Sequence, residues 1–225
     1  MTDPFVKACV ENDKELRSRV KHLGRLLGDV LKSQSRKETF RIVERLRKGF
    51  IQLRKTGDPA GLESLKQHIS TLSPEAMRPV IRAFSYYFQL VNIAEESFQH
   101  RQRRHLAAEQ GAHWRGSFDA CLKDLRDAGI GPAGLQELLN HLLYLPVFTA
   151  HPTESKRRTI MLQLRRIFQA EEQFNSAELT VDPRSRPRDD LMTRIQTLWK
   201  TDEVRPARPE VRHEVKMGLH YFNEA

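Results

Sequence analysis

Six residues, Leu145-Pro146-Val147-Phe148-Thr149-Ala150, are the only run in this chain that reads as a β-strand, whereas nearly everything else recurs with a helical period. That imbalance constrains the fold more than any other feature. One strand cannot pair its own backbone N–H and C=O groups, so it either joins a sheet made elsewhere or serves as an extended connector. The last helical pattern reaches Ala225 without a stop signal, and partners for the strand are expected in chain beyond that residue.

The helical patterns are separated by recognisable punctuation. Residues 15–34 place Leu16, Val20, Leu23, Leu27, Val30 and Leu31 on one face. Ser35 followed by Glu38 has capping-box spacing before a second helix, with Phe40, Val43, Leu46, Phe50 and Leu53 as its stripe and Gly57 at its end. Asp58-Pro59 and Ser73-Pro74 supply N-caps and first-turn prolines to a short helix and a long one, the latter striped by Val80, Ile81, Phe84, Tyr87, Val91 and Ala94. Residues 98–116 carry no sustained stripe and are expected to be a frayed end or loop. Helical spacing returns at Phe118 to Leu125, Leu135 to Leu142, Ile160 to Phe168, Leu191 to Trp199 and Val211 to Leu219, and residues 176–190 read as a surface connection.

Composition narrows the class. At 225 residues with 39% hydrophobic and 30% charged side chains, and only 11 Gly and 11 Pro, the chain can bury a core and fits neither collagen-like nor disordered sequence. A mean hydropathy of −0.60 and the lack of a long apolar run argue against a transmembrane helix, and the charged N-terminus lacks the apolar core of a signal peptide. A cytoplasmic protein is expected. Two distant cysteines, Cys9 and Cys121, support neither a disulfide framework nor a zinc site. The net charge is +9, of which +6 falls in residues 1–75; this leaves nucleic acid, an acidic surface or small anions open as partners.

Two motifs have ordinary explanations. Gly129-Ile130-Gly131-Pro132-Ala133-Gly134 matches G-x-G-x-x-G, but a dinucleotide site needs a strand before it, and here a helix precedes. Gly129 as a helix end and Pro132 as a helix start account for the same letters. His100, Arg101, Arg103, Arg104 and His105, with Trp114 nearby, could form a basic patch for nucleic acid, or simply a solvated charged segment. The two histidines are five apart, on different helix faces, which does not suit a metal pair.

The informative segment runs from Val147 to Arg158. Pro152 biases His151 away from the α region, so the extended run should continue through His151. Thr153 or Ser155 can cap the next helix, leaving a titratable imidazole at the carboxyl end of a strand, where α/β folds place their chemistry. Lys156, Arg157 and Arg158 fall near the first helical turn, where the dipole disfavours cations. Their compensation is either an anionic substrate or acidic neighbours such as Glu154.

Thr149-Ala150-His151-Pro152-Thr153-Glu154 with Arg157-Arg158 after it resembles the N-terminal signature of the phosphoenolpyruvate carboxylase family. The stretches Leu198-Trp199-Lys200-Thr201-Asp202-Glu203-Val204-Arg205 and Lys216 to Phe222 resemble segments downstream of that signature in the family, and Leu26 to Leu31, Arg82-Ala83-Phe84 and Asn92 to Glu96 resemble segments upstream of it. A departure is Pro206, where a second basic residue is expected. Family members are several times longer, so the resemblance implies an N-terminal portion. It implies a mainly α fold, with a helical region over 1–144 and, over 145–225, the first strand and helices of an incomplete (β/α) TIM-type barrel.

The reaction implied joins phosphoenolpyruvate and bicarbonate to give oxaloacetate and phosphate, an anaplerotic supply to the tricarboxylic acid cycle. Bicarbonate attacks phosphorus to give carboxyphosphate and the pyruvate enolate; CO₂ is then released and taken up by the enolate. Mg²⁺ or Mn²⁺ is implied, with ligands outside this chain, as are assembly with the remainder of the enzyme and a full-length homo-tetramer. By the resemblance His151 is the catalytic residue, Arg157 and Arg158 support anion binding, and Trp199 walls the methylene end of phosphoenolpyruvate. Trp199 also lies on an apolar stripe, the position of a core side chain. No metal ligand is identified within the chain, which is expected to be inactive alone. The alternatives are a noncatalytic helical interaction module and a basic nucleic-acid-binding protein; with the carboxylase reading neither nucleic acid nor membrane is a partner.

Overall fold

The computed structural model describes residues 4–111, 114, 116–143, 145, 157–177, 187–203 and 210–224, and every regular element among them is an α-helix. The chain divides into two compact units, Met1–Ser97 with Ser155–Arg208, and Phe98–Glu154 with Pro209–Ala225. Each unit is therefore assembled from two separate stretches of sequence.

The first unit begins with α1 (Pro4–Gln34), whose Leu23, Leu26, Leu27, Val30 and Leu31 are all but fully buried. Burying each such side chain is worth about 1.5–3 kcal/mol, so this stripe anchors the unit. α2 (Lys37–Thr56) turns back along it and ends at Gly57, whose φ of 64° is the left-handed conformation that glycine adopts without Cβ strain. The expected capping box does not form. Arg36 takes the N-cap position without a side-chain bond, because the Ser35 hydroxyl instead donates to the Leu31 carbonyl at 2.5 Å and closes the end of α1. α3 (Pro59–Ser70) is capped as the sequence expects, Asp58 accepting from the amides of Ala60 and Gly61 at 3.0 and 3.2 Å. Its Leu65 lies so close to Gly49 of α2 that a Cβ there would sit 2.5 Å from the Leu65 side chain.

α4 (Pro74–Gln110) departs from expectation twice. Its buried stripe is Val80, Ala83, Tyr86, Leu90, Ile93 and Ala94, whereas Ile81 and Phe88 are about 60% exposed. The aromatic-rich run offers two overlapping apolar stripes, and the one that includes Ala83 and Ala94 is buried. Residues 98–110, expected to fray or loop, continue the helix. α7 (Arg158–Ala177) packs on α8 (Pro187–Lys200), and α8 packs on α1, through Ile160, Ile167, Ala170, Leu191, Ile195 and Leu198. Inside this interface Arg19, 6% exposed, donates to Glu15 at 2.9 Å and to Ser97 at 3.3 Å and approaches Glu171 at 3.7 Å. Ser97 in turn donates to Glu172 at 2.8 Å, so α1, α4 and α7 share one buried polar knot.

The second unit holds α5 (Phe118–Asp127), α6 (Pro132–His141) and α9 (Val211–Glu224). Ser117 caps α5 by accepting from the Ala120 amide at 3.0 Å. Gly129, at φ 81°, closes α5 through its N–H to Arg126, and Pro132 opens α6. The glycine motif is thus helix punctuation, as its letters suggest. Neither α5 nor α6 has a buried side chain, and Val211, Val215 and Leu219 of α9 are each more than half exposed. The expected strand lies outside the described residues apart from Leu145, which belongs to no regular element.

Candidate functional site

His151 and the rest of the signature through Lys156 lie outside the described residues, and the described part of the site begins at Arg157. Arg157 immediately precedes α7, and its backbone N–H donates to the carbonyl of Glu203 at 3.1 Å. Its guanidinium lies 4.0 Å from Asp202, a half-exposed pairing with an exposed carboxylate that is worth little on its own. Arg158 is the first residue of α7 and is exposed. The acidic compensation left open by the sequence is thus at least partly supplied by the turn after α8.

That turn, residues 201–203, is held by one face of α4. Arg82, Ser85, Tyr86 and Gln89 have the i, i+3, i+4, i+7 spacing that lines up one side of a helix. The Arg82 guanidinium and the Tyr86 hydroxyl both donate to the Thr201 carbonyl, the latter at 3.2 Å. Ser85 and Gln89 each donate to Oε1 of Glu203 at 3.1 Å. A helix C-terminus leaves carbonyl groups without intrahelical partners, and here charged and phenolic donors from a neighbouring helix meet one of them.

Trp199 is 7% exposed and belongs to the core of this unit. Its ring meets Tyr86 edge to face at 6.1 Å, and the Arg82 guanidinium carbon sits 5.2 Å from its centre and 5.6 Å from that of Tyr86. Arg82 is therefore fixed by two rings as well as by its hydrogen bond. Trp199 also lines a cleft of about 440 Å³ together with Ser35, Thr39, Ser73, Glu75 and Pro79. Burial pushes the Tyr86 phenol above its ordinary pKa, although the hydrogen bond and charge of Arg82 pull the other way. Tyr86 thus stays a protonated donor through the neutral range.

The structure brings together Arg157 and the turn after Trp199, residues 40 and more apart in sequence, and adds Arg82, Ser85, Tyr86 and Gln89, whose roles sequence reasoning missed. The available signal was the recurrence of polar side chains at helical spacing along the mostly apolar stretch 80–94 of α4. Among the described residues no three His, Cys, Asp or Glu side chains converge as a metal site would require. These described residues therefore do not fit a resident divalent ion. No described helix is long and apolar enough to cross a membrane. His100 to His105 lie on α4, exposed or half-buried.

The family model described as Phosphoenolpyruvate carboxylase matches residues 16–225. The phosphoenolpyruvate carboxylase of Thermus sp. (strain 71) is 36% identical over 226 residues, covering 99% of this chain and 24% of the relative. That of Paraburkholderia xenovorans (strain LB400) is 35% identical over 94% of the chain and 21% of the relative, and that of Rhodopseudomonas palustris (strain BisB5) is 32% identical over 99% and 24%. The chain spans about a quarter of the length of these relatives. With the match running over residues 16–225, which include His151, Arg157, Arg158 and the turn after α8, the chain belongs to the phosphoenolpyruvate carboxylase family.

Proposed function

We propose that this chain is the N-terminal portion of a phosphoenolpyruvate carboxylase and contributes His151 and the Arg157–Arg158 pair to the carboxylation of phosphoenolpyruvate by bicarbonate. One observation carries the reading: three separate stretches that resemble the family, around Arg82, Arg157 and Thr201 to Glu203, meet through direct hydrogen bonds. In this reading the preceding strand begins the (β/α) barrel, and the remaining barrel strands come from polypeptide equivalent to the rest of the relatives.

The chemistry suits these side chains. Bicarbonate attack on phosphorus breaks the bond to the enol oxygen and yields carboxyphosphate and the pyruvate enolate. His151 holds or moves the carboxyphosphate proton as that intermediate separates into CO₂ and phosphate. Arg157 and Arg158, beside the first amides of α7, offset charge on the anions. A divalent ion would be held by residues other than the described ones and would supply positive charge there. Trp199 walls the methylene end of phosphoenolpyruvate in this reading, and its ring also holds the Arg82 guanidinium. The 225-residue chain alone makes no oxaloacetate in this account.

The test is a transplant in which this chain replaces the matching quarter of the Thermus relative. Arg157→Gln and Arg158→Gln together should raise KM for phosphoenolpyruvate about tenfold in the chimera, the value of roughly 1.4 kcal/mol of lost anion binding. An unchanged KM would remove the pair from the substrate site.

A further inference from the structure

The basic excess of the first 75 residues is not used by the carboxylation chemistry, and one place where it gathers is a cleft of about 520 Å³ between α1, α2 and α4. Arg17, Lys21 and Arg25 stand four residues apart on α1 and so form a row about 12 Å long on one side of that helix. Arg47 of α2 joins them in the cleft wall, its guanidinium set by two bonds to Glu44, both at 2.8 Å. Arg25 also borders a smaller cleft whose walls hold Glu44 and Asp29, but Asp29 is taken up by Lys32 and Arg188, 3.6 and 3.8 Å away. Lys21 and Arg25 are exposed, and among the described residues neither has an ion-pair partner.

The rest of the lining is apolar. Half-buried Leu16 and Val20 lie among the cations of α1, and Tyr87 of α4 lies against α1 at Gly24, where a Cβ would sit 3.3 Å from its ring. Tyr87 follows Tyr86 by one residue, which turns it about 100° round α4 from the ridge that holds the 201–203 turn, and the cleft shares no residue with that ridge. A cavity of this size suits a small molecule, and its lining sets the chemistry. Unmatched positive charge favours an anion, while aliphatic and phenolic surface favours an apolar body. We propose that this cleft binds a small amphipathic anion, an aromatic or aliphatic body with a phosphate-type head. The body lies on Leu16, Val20 and Tyr87; Arg25 offers the head a planar fork and Lys21 a point charge. The proposal does not depend on the carboxylase reading.

The probe is 1-naphthyl phosphate, titrated calorimetrically into the 225-residue chain beside 1-naphthol, which lacks the charge, and inorganic phosphate, which lacks the body. Each of the two should bind about tenfold or more weakly than the probe. Lys21→Gln with Arg25→Gln should weaken the probe by about tenfold, as should Leu16→Asn, whereas Arg45→Gln with Lys48→Gln, an equal charge change on exposed α2 positions outside the cleft, should leave it within about threefold. In the unmutated chain, bound probe should shift the amide resonance of Gly24 and leave that of Gly134 in place, a readout that needs no variant. Inorganic phosphate binding as tightly as the probe would mean an adventitious ion only, and 1-naphthol doing so would mean plain apolar surface. Equal loss in the two double variants, or a shift at Gly134 in place of Gly24, would also overturn the proposal. So would a single-stranded oligothymidylate that binds more tightly than the probe and is lost with Lys21 and Arg25, because the row would then be a nucleic-acid track.

Discussion

Single residues at the site act mostly by satisfying backbone groups that α8 leaves open. Tyr86 illustrates this, because its burial and its bond to Thr201 both require the protonated phenol. Its pKa is raised in the folded protein, so the stability it contributes is complete below the ordinary tyrosine value near 10 and is lost as pH climbs from there through the folded value. Tyr86→Phe should cost about 1 kcal/mol at neutral pH and make the alkaline decline in thermal midpoint shallower than in wild type. Parallel pH profiles for the two proteins would contradict the assignment. At α3, Asp58→Ala removes an acceptor for two amides and should lower the urea unfolding free energy by about 1 kcal/mol. Both caps with proline after them were readable in sequence, Asp58 accepting from the Ala60 and Gly61 amides and Ser73 from the Ala76 amide at 3.3 Å. Ser35 was misread since a hydroxyl can serve either the helix ending at it or the helix after it, and only the structure shows the Leu31 carbonyl within reach.

Among the elements, helix existence was legible nearly everywhere, while the buried face of α4 was not. Periodicity identifies a stripe only when one face is clearly more apolar, and α4 carries aromatics on two overlapping ones. Which side is buried depends on what α7, α8 and α1 offer, information absent from the helix itself. The polar ridge Arg82, Ser85, Tyr86, Gln89 was hidden for the same reason: its partners are carbonyl and carboxylate groups more than 110 residues away. A similar long-range knot joins α1, α4 and α7 at Arg19. Arg19→Met leaves Glu171 without that cation in a site 1% exposed and should destabilise the first unit by roughly 3 kcal/mol in urea titration. A change under about 0.5 kcal/mol would show that the knot contributes little. In the second unit the exposed Val211, Val215 and Leu219 share one helical face of α9, so Val215→Glu should reduce binding of an apolar dye by the 225-residue chain. Unaltered dye fluorescence would place the apolar surface elsewhere.

For the whole molecule, the family was legible because the residues that carry the resemblance are local in sequence, whereas the contacts that join Arg157, the turn after α8 and α4 come from three distant stretches. The segment with the lone strand pattern leads in sequence to Arg157, at which the structure ties the start of α7 to the turn after α8. The central claim is that this chain carries His151 into a carboxylase site formed with the equivalent of the relatives' remaining length. The direct measurement is oxaloacetate formation by the Thermus chimera, with phosphoenolpyruvate, bicarbonate and Mg²⁺, beside its His151→Asn variant. The account predicts turnover in the chimera and a loss of about 10²–10⁴-fold in kcat in the variant, with phosphoenolpyruvate binding retained. A folded chimera with no turnover, or a variant as active as its parent, would contradict it.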